Sequence, residues 1–258
     1  MSGTLTSESL KQQLKGKLEH VGGWLYLEEA WQLLDCVRAR CGRPKPPLVV
    51  EIGSYKGRST IALAMGVKLC GNGIVYAIDP HISDQPAHVQ QYGTGDTYQE
   101  FVDNVKRAGV ADVVQPLRMT SLAAKSTFQP RTIDVLFVDG SHEYEDVIAD
   151  IDAYSPLLAD CASVAFNDPS NPGVYRALKD RVLLPNAGYH APRLVQNTLF
   201  FEFSRPSRWT KADNATLRRL RFTLALRANA AQIRPYMPMW LVRVGHAASR
   251  AMVGGASH

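Results

Sequence analysis

The sequence predicts an α/β fold, a mostly parallel sheet with helices on both faces. Short, β-branched apolar runs recur along the chain, "LVVEI" being the clearest, and continuous runs of this kind belong to strands buried on both faces. Segments of about a dozen residues with helical spacing separate them, which is the alternation of strand–helix–strand units. Several runs also stop abruptly at a carboxylate or a glycine, and in such sheets ligands sit outside the carboxyl ends of the strands.

Residues 24–41, "WLYLEEAWQLLDCVRARC", place Leu27, Trp31, Leu34 and Val37 at helical spacing, and "GRPKPP" ends that helix. "LVVEIGS" is the first strand and "RSTIALAMGVKLC" the helix after it, ending at Gly71. "GIVYAIDPH" is the second strand. A polar loop containing Gly93 and Gly95 precedes the helix "TYQEFVDNVKRAG", which has Gly109 as its C-terminal signal. "VVQPLRM" and "TIDVLFVDG" are the third and fourth strands. "YEDVIADIDAYSPLL" is a helix, "SVAFND" the fifth strand and "GVYRALKDRVL" a further helix. "RLVQNTLFFEF", long and aromatic, reads as a late strand or hairpin. There is no internal repeat and no low-complexity tract.

A chain of 258 residues can bury a sizeable core without disulfides or structural metal. Its 45% apolar and 21% charged residues are ordinary for a soluble globular protein. Cys36, Cys41, Cys70 and Cys161 form no CxxC pair or metal-type cluster, and "MSGTLTSESLKQQL" does not read as a secretory signal, so reduced thiols and a cytoplasmic location are expected. No apolar run approaches the ~20 residues of a membrane span. Charge is unevenly placed. Residues 204–258 hold ten Lys/Arg against Asp213, a net +9, which leaves −4 for residues 1–203 of the chain's +5. A mildly acidic body with a strongly basic tail predicts a separate task or partner for the tail.

The strand ends carry the chemistry. In "EIGSYKGRS", Gly53 and Gly57 frame a tight turn into a helix, where glycine lets the backbone approach a ligand. This is neither G-x-G-x-x-G nor a P-loop. Asp79 ends the second strand, about 20 residues or a little more past the turn, where a carboxylate holds a ribose diol. Glu51, inside the first strand, is costly to bury unless paired, and one partner is an ammonium group of the ligand. A ligand with a ribose, a cation and no phosphate is S-adenosylmethionine. "LFVDGSHEYEDV" ends the fourth strand on Asp139, turns on Gly140 and places His142 just beyond; Asp139 or Ser141 can also be read as a helix cap.

At this point the chain resembles a family. "VVEIGSYKGRST" with "YAIDPH" is similar to motifs I and II of class I S-adenosylmethionine-dependent methyltransferases. "LFVDGSHEYEDVIADIDAYSPLL" followed by "ASVAFND" resembles the small-molecule O-methyltransferase branch that includes macrolide-sugar and antibiotic-tailoring enzymes. The resemblance covers roughly Leu48–Phe203 and implies a Rossmann-like, doubly wound, seven-stranded sheet. "GGWLYLEEAWQLL" is similar to the segment that covers the acceptor pocket in that branch. The implied organisation is an N-terminal helical cap segment over 1–46, a cofactor-binding core over 47–203 and a basic, largely helical extension over 204–258. The implied cofactor set is Glu51, Gly53, Ser54, Gly57, Ser59, Asp79, Thr120, Ser121 and Asp139. The resemblance also implies a magnesium ion on Asp139, Asn167 and Asp168, with His142 as general base. Asn167 departs from the expected glutamate, although an amide oxygen also serves as a ligand.

For the acceptor, Trp24, Tyr26 and Tyr92 are candidates for a stacking wall and His81 for a polar contact; each can equally be a core or loop residue without such a role. The expected reaction is methylation of a hydroxyl on a sugar or other polyhydroxylated metabolite, small molecule or oligosaccharide, with a catechol or phenol as the alternative. A nicotinamide oxidoreductase lacks its fingerprint here. A metal-dependent hydrolase has no need of the glycine turn and Asp79, and a catalytically idle binding module stays open if Asn167 marks a lost ion. In the tail, Leu217, Leu220, Leu224 and Ile233 recur among arginines, which predicts oligomer or lid contact first, then a peripheral membrane surface, and no specific nucleic-acid recognition.

Overall fold

The structure, a computed structural model, describes residues 6–82, 96–130, 132–205, 208 and 210–233. Tyr92 and the loop glycines Gly93 and Gly95 lie outside them. Two helices open the chain, α1 (Ser7–Leu18) and α2 (Leu27–Arg38), before β1 (Leu48–Ile52). There follow α3 (Arg58–Cys70), β2 (Ile74–Ile78), α4 (Tyr98–Arg107), β3 (Val114–Leu117) and the one-turn α5 (Ser121–Ala124). The second half is β4 (Ile133–Val138), α6 (Tyr144–Tyr154), β5 (Leu158–Asn167), α7 (Pro172–Arg181), the hairpin β6 (Tyr189–Val195) and β7 (Thr198–Phe203), and α8 (Lys211–Ile233).

The seven strands form one mixed sheet in the order β3-β2-β1-β4-β5-β7-β6. Pairings among β1 to β5 are parallel, and β7 runs antiparallel to both β5 and β6. The late aromatic stretch is therefore a hairpin, turning at Gln196, which has a φ of 50°. The order reverses between β1 and β4, the crevice where doubly wound sheets hold ligands.

Alternation along each strand feeds two separate cores. Val50, Ile52, Leu136 and Val138 face the layer of α6 and α7, while Val49, Val135 and Phe137 face α2 and α3. Both faces are covered, which is why the inner strands read as continuous apolar runs. The N-terminal helices belong to the second layer. Arg58 donates to the Leu18, Val21 and Leu25 carbonyls and fixes the α1–α2 connection, and the buried Arg40 donates to the Cys161 carbonyl, Ser163 Oγ and Glu202. Among the described residues no helix is long and apolar enough to cross a membrane.

The expectation of four reduced thiols is corrected here. Cys41 and Cys70 form a disulfide, with their Cα atoms 4.6 Å apart; Cys36 and Cys161 are free. The cause is helix packing. A Cβ on Gly66 of α3 would lie 2.7 Å from Val37 Cβ and 2.9 Å from the Leu34 carbonyl, so α2 and α3 touch backbone to backbone and their C-terminal ends meet. Sequence spacing carries no trace of that contact. In the loop-entropy view, a bridge across 29 residues stabilises the fold by roughly 3–4 kcal/mol. Dithiothreitol, or Cys41→Ser, should therefore lower the melting temperature by about 6–16 °C. A melt insensitive to both would show that the two thiols are not bridged in solution.

Candidate functional site

The site is built where β1, β2, β4 and β5 end side by side. After β1 the chain turns at Gly53, which has a φ of +87°. A Cβ there would lie 2.1 Å from the Asp139 carbonyl oxygen, so only glycine lets the β1 end rest on the β4 end. Tyr55 is also left-handed, at a φ of 43°, and Gly57 caps α3. This turn aims the Tyr55 amide at Asp79, whose Oδ2 accepts it at 2.7 Å; Oδ1 accepts the His81 amide at 2.7 Å. A carboxylate offers about four lone-pair sites. Asp79 is thus oriented by both loops and keeps acceptor capacity for a diol.

Glu51 is fully buried in β1. Its Oε2 accepts the Thr60 hydroxyl and Ser59 is a further side-chain partner, while Oε1 has no hydrogen-bond partner in the protein. Burial pushes its carboxyl up to about 7. A carboxyl at this depth is relieved either by holding its proton, the direction in which burial pushes it, or by a cation brought against the free oxygen.

Asp139 and Asp168 stand at the ends of β4 and β5. Loss of hydration, then the neighbouring Asp168, holds the Asp139 carboxyl well above the usual carboxylate range. Asp168, at a φ of 46°, is raised by burial in turn and partly relieved by His142, whose Nε2 lies 3.6 Å from its Oδ2. That Nε2 is buried without a hydrogen-bond partner. Neither Asp139 nor Ser141 caps α6 through its side chain: Glu143 occupies the N-cap, and Ser141 Oγ accepts the Glu143 amide at 3.1 Å. A small cleft between the two strand ends is lined by Asp139, Ser141, His142, Phe166 and Asn167.

Asn167 Nδ2 donates to Asp139 Oδ1 at 3.0 Å, and its Oδ1 accepts the Thr198 hydroxyl at 2.9 Å. The same hydroxyl lies 3.0 Å from Glu29 Oε1, so one proton faces two acceptors. Turning the amide end for end places Oδ1 beside Asp139 and the N–H2 against Thr198, which then accepts from Asn167 and donates to Glu29. That orientation removes the donor from Asp139 Oδ1 and sets two oxygens 3.0 Å apart, so it requires a proton or a cation between them; with a cation there, the two carboxylates and the amide oxygen would be a hard oxygen set. Among the described residues no group of three or more His, Cys, Asp and Glu could hold an ion, so such a set depends on Asn167.

Glu29, in the first turn of α2, gave no sign of itself in the sequence. It is buried, accepts the Tyr26 amide at 2.7 Å through Oε2 and the Asn197 amide at 2.7 Å through Oε1, and so ties the exposed mouth segment to the β6–β7 turn. The turn in turn holds Asp168, whose amide donates to the Asn197 carbonyl at 2.8 Å. A glutamate three residues past a helix start is a known signal, but a tyrosine at the N-cap disguised it.

The acceptor candidates separate. Trp24, 64% exposed, stacks on Tyr55 with centroids 5.6 Å apart at the mouth, and Tyr26 is exposed nearby in sequence. His81 is buried. Its Nδ1 lies 3.0 Å from Thr97 Oγ1, its ring packs on Tyr98 and Phe101, and burial lowers its basicity. That placement suits bracing the Asp79 loop rather than meeting an acceptor. Thr120 caps α5, and the Ser121 hydroxyl is committed to Asp150, so its exposed offer to a ligand is backbone.

Comparison with known proteins agrees with this geometry. Residues 50–169 match the family model described as a methyltransferase domain. The solved O-methyltransferase NovP superimposes with a TM-score of 0.61 at 16% identity, over 78% of this chain and all (100%) of that one. TomG, an O-methyltransferase from Streptomyces achromogenes involved in tomaymycin synthesis and solved with S-adenosylmethionine, gives 0.51 at 18% over 77% and 89%. An O-methyltransferase from Bacillus cereus in complex with S-adenosylhomocysteine gives 0.51 at 15% over 79% and 93%. At these identities the likeness shows the fold. An uncharacterized protein of Acanthamoeba polyphaga mimivirus is 29% identical over 149 residues, 55% of this chain and 62% of that relative's length.

Glu51 yields a pH prediction. Its folded pKa of about 7 lies above the ordinary 4.5 of an exposed glutamate, so its stabilising share is full below pH 4.5 and is lost as pH rises through 7. Glu51→Gln should leave stability near wild type at pH 5 and gain on wild type by several degrees in melting temperature at pH 8. A difference flat in pH would mean that Glu51 does not titrate in the fold.

Proposed function

We propose that the chain is an S-adenosylmethionine-dependent O-methyltransferase acting on a hydroxyl of a sugar or related polyhydroxylated metabolite. The observation that carries the reading is the convergence of the glycine turn, the clasped Asp79 and the unpartnered Glu51 Oε1 at one strand-end crevice. Asp79 accepts the ribose hydroxyls, Glu51 holds the ammonium group directly or through water, and the turn at Ser54 to Gly57 brings backbone amides to the cofactor. Thr120 and Ser121 flank its adenine end. The matched methyltransferase-domain region, residues 50–169, spans these elements, which sets the hydrolase and nicotinamide readings behind.

When bound, the cofactor supplies a methyl group on a positively charged sulfur, which leaves as a neutral thioether once the acceptor oxygen has taken the methyl. The chain's part is alignment and proton removal. Trp24, Tyr26 and Tyr55 form the wall against which an acceptor ring lies. His142 takes the hydroxyl proton at Nε2, the buried nitrogen that has no hydrogen-bond partner in the protein, and Asp168 steadies the resulting imidazolium. A neutral imidazole is too weak a base to ionise an alcohol in the ground state, so the proton moves as the methyl does. Asp139, Asp168 and the turned Asn167 would hold a magnesium ion, whose contribution when bound is to acidify the acceptor hydroxyl. A phenolic acceptor is the second reading, since the Trp24–Tyr55 wall suits a flat ring as well. Residues 1–46 then serve as the cap, 47–203 as the core and 204–258 as the extension.

S-adenosylhomocysteine at about 100 times its Kd should stabilise the protein by ~2.7 kcal/mol. The melting temperature should then rise by roughly 5–11 °C, with no rise for NAD. A further rise with magnesium, reversed by EDTA, would support the oxygen set. No rise with the homocysteine adduct would end the methyltransferase reading. With an acceptor in hand, His142→Ala should cut turnover ~10²–10⁴-fold while leaving cofactor affinity unchanged, and full activity in that variant would remove His142 as the base.

A further inference from the structure

The C-terminal helix shows two faces of opposite character. Its inner face holds it to the protein: Leu217 and Leu224 are buried, Leu220 packs against the same core, and the Arg221 guanidinium donates to the Leu183 carbonyl. The start of α8 is fixed as well. Asp213 accepts the Thr210 amide at 2.7 Å and, across to β6, the Ala191 amide at 2.8 Å. The helix is therefore seated with one defined side outward.

That outward side carries Lys211, Arg218, Arg219, Phe222 and Leu226, all exposed. At 100° per residue these five fall within an arc of about 100°, opposite the leucines. Phe222 is 67% and Leu226 50% exposed, adjacent on the helix at i and i+4. Single exposed apolar residues are ordinary on a soluble surface, but an aromatic and an aliphatic one flanked by three cations on one stripe are not. Asp213 is also the last acidic residue of the chain: 214–258 contain seven arginines and no Asp or Glu.

We propose that this face of α8 docks the protein on an anionic lipid surface. Phe222 and Leu226 enter the boundary between headgroups and acyl chains, and Lys211, Arg218 and Arg219 meet the lipid phosphates. Interfacial helices have this composition, apolar residues bordered by long basic side chains that reach up to the headgroups. A second copy of the chain fits less well, because two-fold pairing of this face would bring the same cations together. A nucleic acid would use the arginines but offers nothing to Leu226. The proposal is independent of the methyl-transfer reading, since none of these five residues lies in that site.

The test sediments full-length protein with vesicles of pure phosphatidylcholine and of phosphatidylcholine containing roughly one third phosphatidylglycerol, the lipid that sets the negative surface potential. Binding is expected only to the anionic vesicles and should weaken with salt. Each basic side chain near such a surface strengthens binding about fivefold, so R218E/R219E should lose at least ~25-fold. F222A/L226A should lose several-fold at unchanged charge. Melting with S-adenosylhomocysteine should be the same for both variants and wild type. The proposal is overturned if wild type stays in the supernatant, or if vesicle binding survives both variants. It is equally overturned if light scattering shows a dimer that F222A/L226A breaks, or if a DNA duplex competes the vesicles away and binds F222A/L226A as tightly as wild type.

Discussion

The architecture turns on the contact between the ends of β1 and β4. The Asp139 amide donates to the Ile52 carbonyl at 2.8 Å and the Gly53 amide to the Ile78 carbonyl at 2.8 Å, so the three strand ends are sewn together just where their chains diverge. No side chain fits at Gly53, where the Asp139 carbonyl lies 2.1 Å from where a Cβ would be. That exclusion brings Asp139 beside the glycine turn, sends α3 and α6 to opposite faces, and opens the crevice between them. The seating of Asp79 by the Tyr55 amide follows from the same turn.

A second constraint is electrostatic. Burial raises Asp139 first, and Asp168, Glu51 and Glu29 all add repulsion to it. Glu29, Glu51, Asp139 and Asp168 together draw in part on hydrogen bonds and, for Asp168, on His142. Crowding like-charged groups costs stability unless positive charge arrives with a ligand, and functional sites are where proteins retain such an arrangement. A ligand that carries a sulfonium and an ammonium group is of the right sign to relieve that crowding.

Much of the site was legible because it lies at strand ends. An apolar run that stops at Asp79, Asp139 or Asp168 places its terminal residue at the sheet's carboxyl edge, and a continuous apolar run can be read without tertiary information. Residues whose role depends on a distant element were not legible. Glu29 reads as a solvated helix residue until the β6–β7 turn donates to it. His81 reads as a loop histidine until Tyr98 and Phe101 enclose it. Cys41 and Cys70 read as separate thiols until the α2–α3 packing at Gly66 brings their helix ends together.

By itself the sequence determined the alternation of strands and helices, the residues that end each strand and the basic character of the tail, because these follow from local periodicity and composition. The tertiary structure alone decided that β7 runs antiparallel between β5 and β6, that Asn167 is shared between Asp139 and Thr198, and that Phe222 and Leu226 face outward while Leu217 and Leu224 face in. Each of these depends on which surfaces meet, and meeting surfaces are set by packing between elements far apart in the chain.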